Sequence, residues 1–268
     1  MKHTLIAKSV VASLALLCTV AHAETCSQLQ SQYGLSYSHL TSTIRKVTPN
    51  TPAAASTANG GLGFAMWLTL IDGSGKVCAV TNSLDGTTGN SDVTHDIWLG
   101  SRVISAQKAN TANAFSQVHL SLSTANLFTA VQPGNSLFGL QESNPVDATV
   151  AYQGSVNTFG TAEDPLVGVR IGGVNVFGGG LALYNTAGAK IGAIGVSGDT
   201  SCTDHVTAWK VRDALGLSPV APGTKGPTFD QMIQSLTPTD NQVFAGFEHP
   251  KCLNNPTSAQ SAGAIYGN

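Results

Sequence analysis

The stretch FAMWLTLID (residues 64–72), GSG (73–75), KVCAVTN (76–82) reads as strand, turn, strand. Two β-rich runs meet at an Asp-Gly-Ser-Gly corner, where glycine supplies the positive φ that a tight turn requires. Strands joined so closely run antiparallel, which sets the chain apart from doubly wound nucleotide folds. A second region repeats the pattern: IGGVNVFGGGLALY (171–184), the turn NTAGAK (185–190) and IGAIGV (191–196) read as two or three strands.

Outward from these hairpins the periodicity is helical. SQLQSQYGLSYSHLTSTIRKV (27–47) reads as a polar helix broken at Gly34, and WLGSRVISAQKANTANAFSQ (98–117) is the best helix in the chain. Leu99, Val103, Ala106, Asn110 and Asn113 lie along one stripe, widened by Ala109, Ala112 and Phe115, and its small alanine-rich face allows close approach to a sheet or another helix. STANLFTAV (123–131) reads as a shorter helix ended by Pro133-Gly134, and CTDHVTAWKVRDAL (202–215) as a helix capped by Asp199 or Thr200 and closed by Gly216. Residues 48–61 and 83–97 read as loops, and 139–170 hold no clear period. Residues 217–268 are a Pro-rich tail with one amphipathic piece at 229–236. The order helix, hairpin, two helices, hairpin, helix, tail is an α+β plan in which helices cover an antiparallel sheet.

Composition narrows the function. Only 10% of the 268 residues are charged, and 13 Lys+Arg face 15 Asp+Glu for a formal charge of -2. A nucleic-acid interface or a polybasic membrane anchor needs a concentrated basic face, which is missing. Residues 1–23 have the form of a signal peptide: Lys2, His3 and Lys8 precede the apolar run VVASLALLCTV (10–20), and Ala21-His22-Ala23 is a small-x-small cleavage site. No later run reaches membrane-spanning length. The mature chain, 24–268, is expected as a single domain in the periplasm or outside the cell.

Four cysteines remain after such cleavage, Cys26, Cys78, Cys202 and Cys252, and an oxidising compartment favours their pairing. Of three connectivities, Cys202–Cys252 with Cys26–Cys78 is preferred, because it pins the tail and the N-terminus to the body. The rival is a metal site, since Cys202-x-x-His205 and His249-x-x-Cys252 have zinc-like spacing.

Candidate chemistry is sparse. GAIGVSG (192–198) leads into a helix and reads as a strand end packed closely under a helix, or as an anion cradle at that helix start. It is neither a dinucleotide fingerprint nor a P-loop. Ser197 lies in G-x-S-G, which is no hydrolase elbow, and Asp204 and His205 point about 100° apart on a helix, so one is badly placed to orient the other. His39, His95, His119, His205 and His249 form no close pair, and no dedicated metal site is expected, although one histidine alone can ligate haem iron. Arg102 and Lys108 are either solvated or paired, or they anchor a carboxylated ligand.

The segments GSRVISAQKANTA (100–112), GLALY (180–184) and KIGAIGVSG (190–198) running into Asp204, together with WLTLIDGSGKVCAV (67–80), resemble the GlcG/HbpS family of haem-binding or haem-degrading domains. The resemblance covers about residues 30–132 and 171–216. It implies an α+β domain with a five-stranded antiparallel sheet flanked by helices, homo-oligomers, and haem or another small molecule as ligand. Residues 139–170 then form a long loop insert, and 217–268 a disulfide-pinned tail. The matched motifs carry no haem ligand, so His39 and His205 are candidates by residue type. The expected function is an exported small-ligand-binding protein, with Ser197, Asp204 and His205 near the ligand and Arg102 or Lys108 on its carboxylate. The alternatives are an enzyme acting on haem or a small substrate through His205 with Asp204 or Asp199, and a self-assembling structural protein.

Overall fold

The computed structural model describes residues 23–48, 59, 61–86, 91–118, 120–219, 230–234, 246–252 and 264–266. The expected leader, apart from Ala23, much of the tail and His119 lie outside the described residues. So do most of the 48–61 loop and part of the 229–236 piece. No helix among the described residues is long and apolar enough to cross a membrane.

Helix α1 (Cys26–Tyr33) starts on a Thr25 cap reciprocated by Gln28, and Gly34 ends it at φ 69° before α2 (Tyr37–Val47) begins on Ser36. The decisive hairpin forms as read, with β1 at Trp67–Asp72 and β2 at Val77–Asn82. Its turn is organised by Asp72, whose Oδ1 accepts from Ser74 N (2.9 Å), Ser74 Oγ (2.6 Å) and Lys76 N (3.0 Å), while Gly75 takes φ 82°. The long helix α3 spans Ser101–Phe115. The expected shorter helix after it is a pair of 3₁₀ turns, Thr124–Leu127 and Thr129–Val131. Two single-turn helices, α4 (Leu140–Ser143) and α5 (Ala148–Ala151), lie in the insert, ahead of β3 (Gly180–Tyr184), β4 (Lys190–Ser197) and α6 (Ser201–Ala214).

Among the described residues the main sheet has four antiparallel strands in the order β2-β1-β4-β3. This corrects the expected five. Residues 171–179 stay irregular because Gly172 and Gly173 hold φ of 65° and 83°, which breaks the pleat, so β3 begins only at Gly180. A separate parallel pair, β5 (Met232–Ile233) with β6 (Ile265–Tyr266), ties two pieces of the tail together.

Side-chain alternation divides the strands between two buried faces. Leu68, Leu70, Leu181, Leu183, Ile194 and Val196 meet Leu29, Leu40, Ile44, Ala208 and Val211 of α1, α2 and α6. Trp67, Ile71, Val80 and Ala193 meet Val103, Ala106, Ala109 and Ala112 of α3 on the other. A Cβ on Gly195 would strike the backbone of Ser105 and Ala109, so the glycine of β4 is what lets α3 lie directly on the sheet. The insert covers the same layer with Ala151, Leu166 and Ile171. Val77 exchanges backbone hydrogen bonds with Val169 and Gly168, and Tyr184 N donates to Leu217 O.

Cys26 is bonded to Cys78 and Cys202 to Cys252, the preferred connectivity. Asp72 lies beside the first pair, but both sulfurs are committed to each other. Cys202 and Cys252 are likewise no metal ligands: His205 Nε2 donates to Ala264 O (3.1 Å), and His249 Nε2 meets Ser201 Oγ (2.7 Å).

Candidate functional site

At the end of β4 the chain turns into α6 through Gly198 and Asp199, and Thr200 caps the helix. Here Lys108, Ser197 and Asp204 converge. Lys108 reaches out of α3 to place Nζ 2.6 Å from Asp204 Oδ2, 3.3 Å from Ser197 Oγ and 3.2 Å from Val196 O. Asp204 Oδ1 accepts from Gly198 N (3.1 Å) and Asp199 N (2.9 Å). An anion does sit at the start of α6, and it is the chain's own carboxylate. The approach depends on Gly179, where a Cβ would meet Val196 O, Asp204 Cβ and Lys108 Cδ. Asp199 is spent on the preceding loop, accepting from the backbone amides of Leu62 (2.9 Å), Gly63 (2.8 Å) and Phe64 (3.1 Å).

Burial acts on both members of the ion pair in the neutralising sense. It raises the Asp204 carboxyl to about 6 against the opposing pull of Lys108, and it lowers the Lys108 ammonium. Lys108, Asp204 and Ser197 are all buried and answer one another's hydrogen bonds.

Arg102 does not join this cluster. One turn and a half earlier on α3, it forms a buried two-pronged pair with Asp164 of the insert, Nε to Oδ2 at 2.9 Å and Nη2 to Oδ1 at 2.5 Å. The Phe159 ring lies 3.7 Å from the guanidinium. Arg102 therefore fastens the insert to the long helix.

His205 is fully buried on α6. Its Nε2 is the donor to Ala264 O, which leaves Nδ1 without a partner among the described residues. Burial lowers its pKa from 6.5 to about 3. The unfolded chain thus takes up a proton near pH 6.5 that the fold refuses, so His205 makes stability fall as pH drops from 6.5 towards 3. Asp204, whose pKa is raised, makes stability rise over the descent from 6 to 3.8 and opposes it. Replacement of His205 by leucine is expected to add about 1.4 kcal/mol per pH unit to the stability gained on acidification within that window, relative to wild type. Urea unfolding at pH 6.0, 5.0 and 4.2 measures this, and parallel profiles for the two proteins would refute it.

His39 is placed differently. It is exposed on α2, and its Nδ1 donates to Gly34 O (3.0 Å), which leaves Nε2 as the lone-pair nitrogen with no partner among the described residues. That is the arrangement by which a backbone carbonyl fixes the tautomer of a metal-ligating imidazole. The sequence marks His39 only by residue type; the carbonyl at Gly34 follows from the helix break.

A groove of about 600 Å³ opens elsewhere, between α2, the segment after β2 and the insert. Tyr37, Arg45, Asn82, Asp92 and Phe159 are among its walls, and Tyr37 Oη donates to Gly160 O (2.7 Å) across it. None of these residues stands out in the sequence, because the groove exists only once the insert folds back over α2.

Comparison with known proteins bears on the same segments. The family model described as haem degrading protein HbpS-like matches residues 85–212. No curated protein matches the chain. Two solved structures are similar in outline. Klebsiella pneumoniae protein ORFY, of the family DUF336, is 20% identical, with 80% of this chain and 98% of that chain covered at a TM-score of 0.41. A PduOC:haem complex is 22% identical, with 69% and 97% covered, also at 0.41. The matched residues 85–212 carry α3, β3, β4, most of α6 and the whole insert.

Proposed function

We propose that the protein binds haem, with His39 as the axial ligand, and that it does so after export. The single observation that carries this reading is the exposed imidazole of His39, whose Nδ1 is held by Gly34 O, which commits Nε2 to the lone-pair tautomer. The match to the HbpS-like family model, which is described as haem degrading, supports haem as the ligand class. His205 fits iron less well, since its bare Nδ1 is enclosed by protein. Two disulfides support an oxidising compartment, as the leader-like N-terminus does. Because His39 is exposed, the second wall of a porphyrin site there would come from another copy of the chain, which fits a homo-oligomer.

Titration of residues 24–268 with haem, followed by absorbance, is expected to give a saturable Soret shift that His39→Ala abolishes and His205→Ala preserves. An unchanged shift in His39→Ala would overturn the assignment. The groove favours a second reading, a small carboxylate held by Arg45, the exposed cation on its wall. In that case haem would give no saturable shift, and calorimetry with small carboxylates would lose its signal in Arg45→Ala.

A further inference from the structure

The junction of α6 with the tail holds a pair of side chains that neither reading uses. Ser201, the first residue of α6, is half-buried, and its Oγ lies 2.7 Å from His249 Nε2. His249 Nδ1 donates to Pro250 O (2.8 Å), so Nε2 is a bare acceptor and the serine hydroxyl must be the donor. The backbone N–H of Gly178 donates to the same Oγ at 2.7 Å and fixes its position. We propose that Ser201 is a nucleophile and His249 its general base, forming a site for acyl transfer from esters with an apolar acyl group.

The parts have the roles such chemistry requires: a nucleophile within hydrogen-bond reach of a base, and a third group that orients the base. Here the orienting group is a backbone carbonyl. The Cys202–Cys252 disulfide joins the residue after Ser201 to the segment that carries His249, so the pairing is covalently enforced. The N-terminal end of α6 favours negative charge developing on Ser201 Oγ. Burial holds His249 below its ordinary pKa and so keeps it neutral, as a base must be. Beside it lies an apolar shelf: the Phe128 ring stands 5.3 Å from the His249 ring and 6.3 Å from that of Phe177, which is 46% exposed. Ser201 Oγ attacks the ester carbonyl carbon as its proton passes to His249 Nε2. The carbon–oxygen bond to the alcohol then breaks, and the alcohol leaves with that proton. Water attacks the acyl-serine, gives a proton to His249, and releases the acid as the proton returns to Ser201.

The test uses a fluorophosphonate with an alkyl chain, applied to the disulfide-intact protein, with the adduct located by peptide mass spectrometry and p-nitrophenyl butyrate hydrolysis followed in parallel. The expected result is one adduct, on Ser201, absent in Ser201→Ala and formed about a hundredfold more slowly in His249→Gln. Glutamine can still accept the serine hydrogen bond, so it preserves a merely structural tie while removing the base. Circular dichroism confirms that each variant is folded. No adduct on Ser201, or equal labelling rates in wild type and His249→Gln, would overturn the proposal.

Discussion

Replacing Lys108 by methionine is expected to lower the unfolding free energy by about 3–5 kcal/mol at pH 8, because it strands a buried carboxylate. Asp204 would keep its two amide donors, Gly198 N and Asp199 N, but lose the ammonium 2.6 Å away. The carboxyl already sits near 6 with Lys108 present, and removal of the attraction moves it further up. A raised carboxyl means that the folded state binds a proton the unfolded state has released, so the variant becomes more stable as pH falls. The deficit should therefore shrink at pH 5, where Asp204 is neutral. The double variant Lys108→Met with Asp204→Leu should recover most of the loss, since an apolar pair leaves no stranded charge. Urea denaturation of the three proteins at both pH values decides it. An equal deficit at pH 5 and pH 8 would show that Asp204 stays charged and the argument is wrong.

A loss of similar size, about 3–5 kcal/mol, is expected for Arg102→Met, with a different local signature. Among the described residues, Asp164 would then hold a buried charge supported only by the amides of Gly160 (2.7 Å) and Leu166 (2.9 Å). The insert should open before the sheet does, exposing Phe159 and the Trp67 ring packed against Gly160. Limited proteolysis should cut within residues 139–170 of the variant while α3 and β4 remain protected. Arg102→Lys is not expected to rescue it, because one ammonium cannot supply two parallel donors to both carboxylate oxygens. Cleavage at wild-type rates would mean that the insert is held by its apolar contacts alone.

The contrast between what the sequence yields and what it hides follows the range of the interactions. The 64–82 hairpin, the break at Gly34, the Thr200 cap and the α3 stripe all depend on neighbours a few residues apart, and each is legible as local chemistry. The turns at 124–131 are read as a helix because 3₁₀ and α periodicities differ little over so few residues. The strand count fails where the resemblance and the positive φ of Gly172 and Gly173 disagree. Arg102 and Lys108 are readable as paired or ligand-anchoring, but their partners lie 62 and 96 residues away and no local pattern selects them. Ser201 and His249 are hidden for the same reason. The spacing around Cys202 and Cys252 points to that corner, yet the serine beside the first cysteine carries no mark of its own.

The bonds that Val77 makes with residues 168 and 169, and Tyr184 with Leu217, close the sheet at both borders near their turn ends. An antiparallel sheet with open borders invites any passing extended chain to pair with it, the usual route to runaway fibre-like stacking. In this protein the borders are partly satisfied by its own insert and by Leu217, beyond the end of α6. At those two ends the edge backbone is already spoken for, which leaves less free strand for an extended chain to add to as a growing ribbon.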